Sequence, residues 1–251
     1  MIDYLRSIVL GRRHVGSSVT PPLFFISYAH DPFGDDDQHV DRFYRDLNHD
    51  VLMFAGSRDE TAGFCDASLR LGQRWSRTLV DNLSTAQVFI PILSPKYFQS
   101  EACGKEWSVF ASRLDEDARP ESQDSSIIPL LWIPMTVPAI AQPYQFKETS
   151  FGAKYEEVKL RALIREGRHG DDYKSFVQKL AQRVFQHATA VPVAATAARP
   201  GFDEILSAFT SMPAPRPSAG NGAAKVRHSN RRSSSLVDRP ILNANLPEDP
   251  R

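Results

Sequence analysis

The chain has 251 residues, 41% of them hydrophobic and 10% aromatic, enough to bury one sizeable core with an appended tail. Lys and Arg number 30 and balance 30 Asp and Glu, so overall charge offers no attraction to nucleic acid or an anionic membrane, and function has to reside in a specific site. No run approaches the roughly 18 apolar residues of a membrane-spanning helix, and Met1 to Arg13 holds too short an apolar stretch for a secretion signal. The only cysteines, Cys65 and Cys103, lie in apolar stretches and read as buried thiols of a reducing compartment, with a cytoplasmic location expected.

Residues 1–22 have weak periodicity and end in Pro21-Pro22, which reads as a leader outside the core. Leu23 to Tyr28 is a short, nearly continuous apolar run with aromatics, the pattern of a strand buried on both faces. Val40, Phe43, Tyr44, Leu47 and Val51 then recur at helical spacing, with Asp35, Asp36 and Asp37 where a helix start favours negative charge. Those three adjacent carboxylates read as a solvated helix start, and no metal site is expected. A second strand is predicted over Ala62 to Asp66, a polar loop over Ala67 to Gln73, and a helical face through Trp75, Leu79, Leu83 and Ala86.

Val88 to Leu93 is the third strand, followed by Ser94-Pro95, where serine can cap and proline can occupy a first helical position. Ser100 starts a helix whose apolar face is Cys103, Trp107, Phe110 and Leu114; Trp75 and Trp107 are read as core packing. Ile127 to Ile133 is a fourth buried strand, Tyr144 to Phe146 a short fifth, and Tyr155 to Ile164 and Tyr173 to Val184 two amphipathic helices. From residue 188 the composition shifts to Ala, Pro, Ser and Arg, and 188–251 reads as a low-complexity, disordered tail with one short helix over Phe202 to Phe209. Within it, Arg231-Arg232-Ser233-Ser234-Ser235 fits either a solvated linker or a basophilic phosphorylation site.

Strands alternating with helices at this spacing predict an α/β fold, a flavodoxin-like doubly wound parallel sheet of about five strands in the order 2-1-3-4-5, over residues 23–187. In that order the first and third strands are neighbours at the switch point, and ligands sit beyond their carboxyl ends. The residues expected around that crevice are Tyr28 and His30 after the first strand, Ser94 after the third, and Glu106 on the helix that follows. Glu106 lies 3 residues from Cys103 and 4 from Phe110, beside the buried stripe of its helix.

Four ordered blocks carry a family resemblance: Phe25-Ile26-Ser27-Tyr28; Phe64-Cys65-Asp66 with Gly72; Ile92-Leu93-Ser94-Pro95-Lys96-Tyr97-Phe98; and Ser100 and Cys103 with Glu106. Together they resemble a Toll/interleukin receptor (TIR) domain, most closely the bacterial TIR-like proteins, over roughly residues 23 to 135 with a weaker trace to about 187. The resemblance implies a signalling or defence module that either hydrolyses NAD+, as substrate and without a cofactor, or acts as a catalytically silent scaffold through protein contacts. In NAD+-hydrolysing members a glutamate in the helix after the third strand is catalytic, and the Cys-x-x-Glu spacing carries that role to Glu106. Tyr28, His30, Asp66, Gly72 and Ser94 fall where the family's pocket and its assembly loop lie, and self-association through TIR surfaces and contact with other signalling proteins are implied. Two positions depart from the family pattern: Ala102, where many active members carry an aromatic residue, and Ala29, where arginine often follows the tyrosine. The remaining reading is a flavodoxin-like domain of another kind, such as a receiver or a nucleoside-processing enzyme; a receiver needs a phosphoacceptor aspartate where this chain has Ser94.

Overall fold

The computed structural model describes residues 21–31, 33–65, 77–116, 125–144, 148–167 and 170–210. The chain divides into two units, 1–216 and 217–251, and every described residue belongs to the first. Residues 1–20 of the leader expected over 1–22, Asp66, Gly72 and Trp75 in the segment 66–76, and the tail beyond 210 lie outside the described residues; Pro22, at the leader's end, is buried.

Strand β1 (Phe24–Tyr28) is buried along its whole length, as its continuous apolar run requires of a central parallel strand. Helix α1 (Asp35–Ala55) begins after Gly34, whose φ of 94° suits glycine, with Asp35, Asp36 and Asp37 against the positive end of its dipole. Its stripe of Val40, Phe43, Leu47 and Val51 is buried on the sheet. Gly56, at φ 58°, ends the helix in the left-handed conformation. Strand β2 (Gly63–Cys65), helix α2 (Arg77–Thr85), strand β3 (Val88–Leu93), helix α3 (Glu101–Glu116) and strand β4 (Leu130–Leu131) follow. Helices α4 (Ala153–Gly167) and α5 (Asp171–Ala190) complete the wrapping.

The sheet is parallel with order β2-β1-β3-β4, which is the expected topology for its first four strands. The predicted fifth strand does not appear among the described residues. Tyr144 ends a 3-10 turn over Gln142–Tyr144, and 145–147 lie outside the description.

The sheet separates two apolar layers, and strand alternation decides which residue joins which. Phe24, Ile26 and Tyr28 of β1 share one cluster with Val40 and Phe43 of α1, Tyr155 of α4 and Phe176 of α5. Phe25 belongs to the other, with Leu79 and Leu83 of α2 and Trp107 and Phe110 of α3. Phe89 of β3 stacks on Phe110 at 5.2 Å and meets Trp107 edge-on at 6.1 Å.

Residues 191–210, expected to begin a disordered tail, lie against α2 and α3, with Val193, Ile205 and Phe209 buried. Arg113 of α3, only 2% exposed, explains the first attachment. Its guanidinium donates to Leu83 O (2.8 Å) and Ala86 O (2.9 Å) on one side and to Ala194 O (3.0 and 3.1 Å) on the other. The second attachment is at Gly104, whose carbonyl accepts from Ala208 N at 3.1 Å and where any Cβ would collide with Ser207 Oγ. Lys105 Nζ donates to Phe202 O at 2.8 Å and sits 3.5 Å from the centre of the Phe202 ring, while Ser108 Oγ donates to Leu206 O at 2.7 Å. Phe209 then closes an aromatic group with Phe98 (5.1 Å), Tyr97 (5.6 Å) and Trp107 (6.0 Å). The predicted short helix from Phe202 is a single 3-10 turn, Phe202–Glu204.

Candidate functional site

Helix α3 starts where Ser100 Oγ accepts from Cys103 N at 3.3 Å, an N-cap that sets the rotation of the first two turns. That rotation buries Cys103 and Trp107 and carries Glu106, one step from Trp107, into the same layer. Glu106 is 8% exposed. A carboxylate there requires hydrogen-bond partners, because an unpaired one would cost several kcal/mol. Ser27, on the opposite side of β1 from Tyr28, supplies one: its Oγ donates to Glu106 Oε2 at 2.5 Å. Since Ser27 spends its proton on Glu106, the Tyr97 hydroxyl 3.0 Å away donates to Ser27 Oγ. Tyr97 stands on the 3-10 turn Tyr97–Gln99, whose first backbone N–H is capped by Ser94 Oγ at 3.1 Å.

The buried charge environment is visible in its neighbours. Burial, reinforced by Cys103 and Glu106, holds the Tyr97 phenol well above the usual tyrosine range. Burial and then Glu106 likewise push the Cys103 thiol up, so it stays protonated.

A cleft of about 340 Å³ opens at the carboxyl ends of β1 and β3 and beside the end of β4, lined among others by Tyr28, Asp36, Ser94, Lys96, Trp132 and Arg161. His30 stands at the Tyr28 side, its Nδ1 3.2 Å from the Tyr28 hydroxyl and 3.2 Å from Asp37 Oδ2. The expected site therefore divides. Tyr28, His30 and Ser94 gather at the sheet's carboxyl edge, with Tyr28 on the α1 face, whereas Glu106 belongs to the α3 face and meets β1 through Ser27. Asp66 and Gly72 lie outside the described residues.

Ser27 and Tyr97 were not among the expected site residues. The signal for Ser27 was present: it is the only small polar side chain in a buried five-residue strand, and its parity differs from that of Tyr28. Tyr97 carried no local signal, since only the tertiary fold brings it to Ser27 across 70 residues of sequence.

Among the described residues no group of His, Cys, Asp and Glu side chains is disposed to hold a metal ion, and no helix is long and apolar enough to cross a membrane. No curated protein matches the chain. The family model for the TIR domain matches residues 24–164, from the first residue of β1 to within α4, which takes in the whole sheet and Glu106 and leaves α5 and the segment 191–210 outside. The chain belongs to the TIR domain family, whose members act in signalling or defence.

Proposed function

We propose that this TIR domain hydrolyses NAD+ at the bond between nicotinamide and ribose, with Glu106 as the catalytic carboxylate. The observation that carries the reading is the buried Ser27–Glu106 hydrogen bond at the carboxyl edge of the central strand. A helix that only needed to pack on the sheet would have done so more cheaply with an apolar residue at that position.

The chemistry asks little of the protein beyond that carboxylate. Nicotinamide leaves with the electrons of the C–N bond and becomes neutral, so no general acid is needed, and the ribose passes through an oxocarbenium-like state. A fixed anion stabilises that positive charge, and the same carboxylate can take the proton from the water that attacks the anomeric carbon. Ser27 and Tyr97 act as positioning residues by holding Glu106 in one orientation. Self-association of the TIR domain belongs to the same reading, with concentration controlling turnover.

The competing reading is a catalytically silent scaffold. It is favoured by the small exposure of Glu106 and by Ala102, which is exposed and offers no ring for stacking a substrate. Chromatographic detection of nicotinamide from NAD+ at high protein concentration separates the two. Hydrolysis predicts release that Glu106→Gln abolishes with the fold intact; a scaffold predicts none from either protein.

A further inference from the structure

Glu106, the carboxylate proposed to act on NAD+, is 8% exposed, so a substrate meets it only if an element around it moves. Two elements frame it. Helix α3 bears it, and the turn Tyr97–Gln99 reaches it through the Tyr97 hydroxyl on Ser27. One ring packs on both from outside: Phe209 lies 5.6 Å from Tyr97 and 6.0 Å from Trp107, the residue after Glu106. Phe209 belongs to a strap, residues 201–210, that lies beyond the stretch matched by the family model.

Helix α3 is built to receive that strap. At about 3.6 residues per turn, Gly104 and Ser108 fall on the side of the helix opposite Glu106, so the strap and the sheet hold α3 between them. Glycine within a helix is unfavourable, and the room its missing side chain leaves is filled by Ser207. Lys105 is 5% exposed and spends its ammonium on Glu101 at 2.7 Å and on the strap carbonyl of Phe202 at 2.8 Å.

The strap itself has little to keep it there. Ile205 and Phe209 are its buried side chains, Leu206 is 87% exposed, and beyond the 3-10 turn Phe202–Glu204 it has no regular structure. A segment with so few buried contacts opens at lower cost than the core beneath it. The stretch before it is anchored separately, Val193 exchanging hydrogen bonds with the Gln87 side chain (2.8 and 3.3 Å) and Arg199 Nε meeting Asp81 at 2.6 Å.

We propose that residues 201–210 form an autoinhibitory latch on Glu106. Seated, the strap clamps α3 and the Tyr97 turn around the carboxylate; released from Gly201 onward, it lets them part, and Glu106 becomes accessible. Its effect on turnover rests on the reading of Glu106 as the NAD+-cleaving residue, whereas its effect on accessibility does not.

Carboxylate footprinting of the full chain, with a water-soluble carbodiimide, glycine ethyl ester and peptide mass mapping, tests it beside nicotinamide release from NAD+, on the parent, Phe209→Ala and Ala208→Pro. Ala208→Pro removes the N–H that Gly104 O accepts and leaves every aromatic side chain in place, so it decides the matter if Phe209→Ala loses the fold. In the parent, Glu106 is expected to resist labelling while the exposed Glu60 is labelled. Each variant is expected to label Glu106 about tenfold faster with Glu60 unchanged, and to release nicotinamide about tenfold faster. Faster labelling of Glu106 with no nicotinamide from any of the three proteins would uphold the latch and refute hydrolysis. Labelling of Glu106 as slow in both variants as in the parent, or nicotinamide released by parent and variants at one nonzero rate, would overturn the latch.

Discussion

Ser27 Oγ donates to Glu106 Oε2 at 2.5 Å, joining the central strand of the sheet to helix α3 through a carboxylate that is 8% exposed. A buried carboxylate needs such a bond to offset its desolvation, and this one fixes the only buried acid among the described residues at a strand's carboxyl edge. Ser27→Ala is therefore expected to cost about 1–3 kcal/mol, the range for a buried hydrogen bond to an ionisable group. Urea unfolding measures this, and a change under about 0.5 kcal/mol, the level of an ordinary surface substitution, would show that the bond carries no structural weight.

The strap over α3 depends on a missing side chain. Gly104→Ala places a Cβ against Ser207 Oγ and 3.0 Å from Phe209 Cδ2, so either the strap or the helix must move. Limited proteolysis is expected to cut within 201–210 faster in this variant than in the parent. Phe209→Ala should give the same result by removing the ring that packs on Phe98 and Tyr97. Equal digestion of parent and variants would argue that the strap is held elsewhere, by Lys105 and Ser108 along α3 and by Arg113 at its start.

The two cysteines should differ in reactivity. Cys103 is fully enclosed and its thiol is held protonated by burial and by Glu106, whereas Cys65 is half-buried at the end of β2. Alkylation with iodoacetamide in the native state is expected to spare Cys103 and to reach it only on unfolding, as peptide mass mapping would reveal. Native labelling of Cys103 at the rate of a free thiol would mean that the layer around Glu106 opens readily.

Alkaline pH should destabilise the fold through its buried phenols. Burial first, and then Cys65 and Asp41, push Tyr44 up to about 12, and burial, Cys103 and Glu106 hold Tyr97 well above the usual tyrosine range. Both folded-state values lie above the unfolded one near 10. The unfolded chain therefore loses these protons first, so the stability they provide is complete below about pH 10 and is lost as pH rises toward and beyond 12. Phenolate absorbance followed alongside circular dichroism checks this: Tyr97 is expected to ionise only together with unfolding, and ionisation of every tyrosine near pH 10 in a folded protein would contradict it.

Much of the fold was legible because its signals are local. The continuous runs Phe24–Tyr28 and Val88–Leu93 marked the two central strands, and the helical spacing of Val40, Phe43, Leu47 and Val51 marked the face of α1 that is buried. The expectation of disorder from residue 188 came from composition, which averages over Val193, Ile205 and Phe209. These three are too far apart to form a period, and their partners, Arg113 and Gly104, lie some 80 to 100 residues earlier. The fifth strand expected over Tyr144 to Phe146 lies for the most part outside the described residues. At the site, Glu106 stands out only through the family resemblance that its spacing from Cys103 carries, whereas the alternation in β1 that turns Ser27 toward it and Tyr28 to the other face is legible in the strand itself.

The most direct measurement is nicotinamide release from NAD+ by the full chain over a range of concentrations, beside Glu106→Ala and Glu106→Gln of verified fold. Catalysis by Glu106 predicts turnover that rises more than proportionally with protein concentration and falls at least a hundredfold in both variants, as loss of a catalytic carboxylate requires. Equal turnover in parent and variants, or none from a parent shown to be self-associated, would contradict it and leave the Ser27–Glu106 bond as a structural tie in a TIR scaffold.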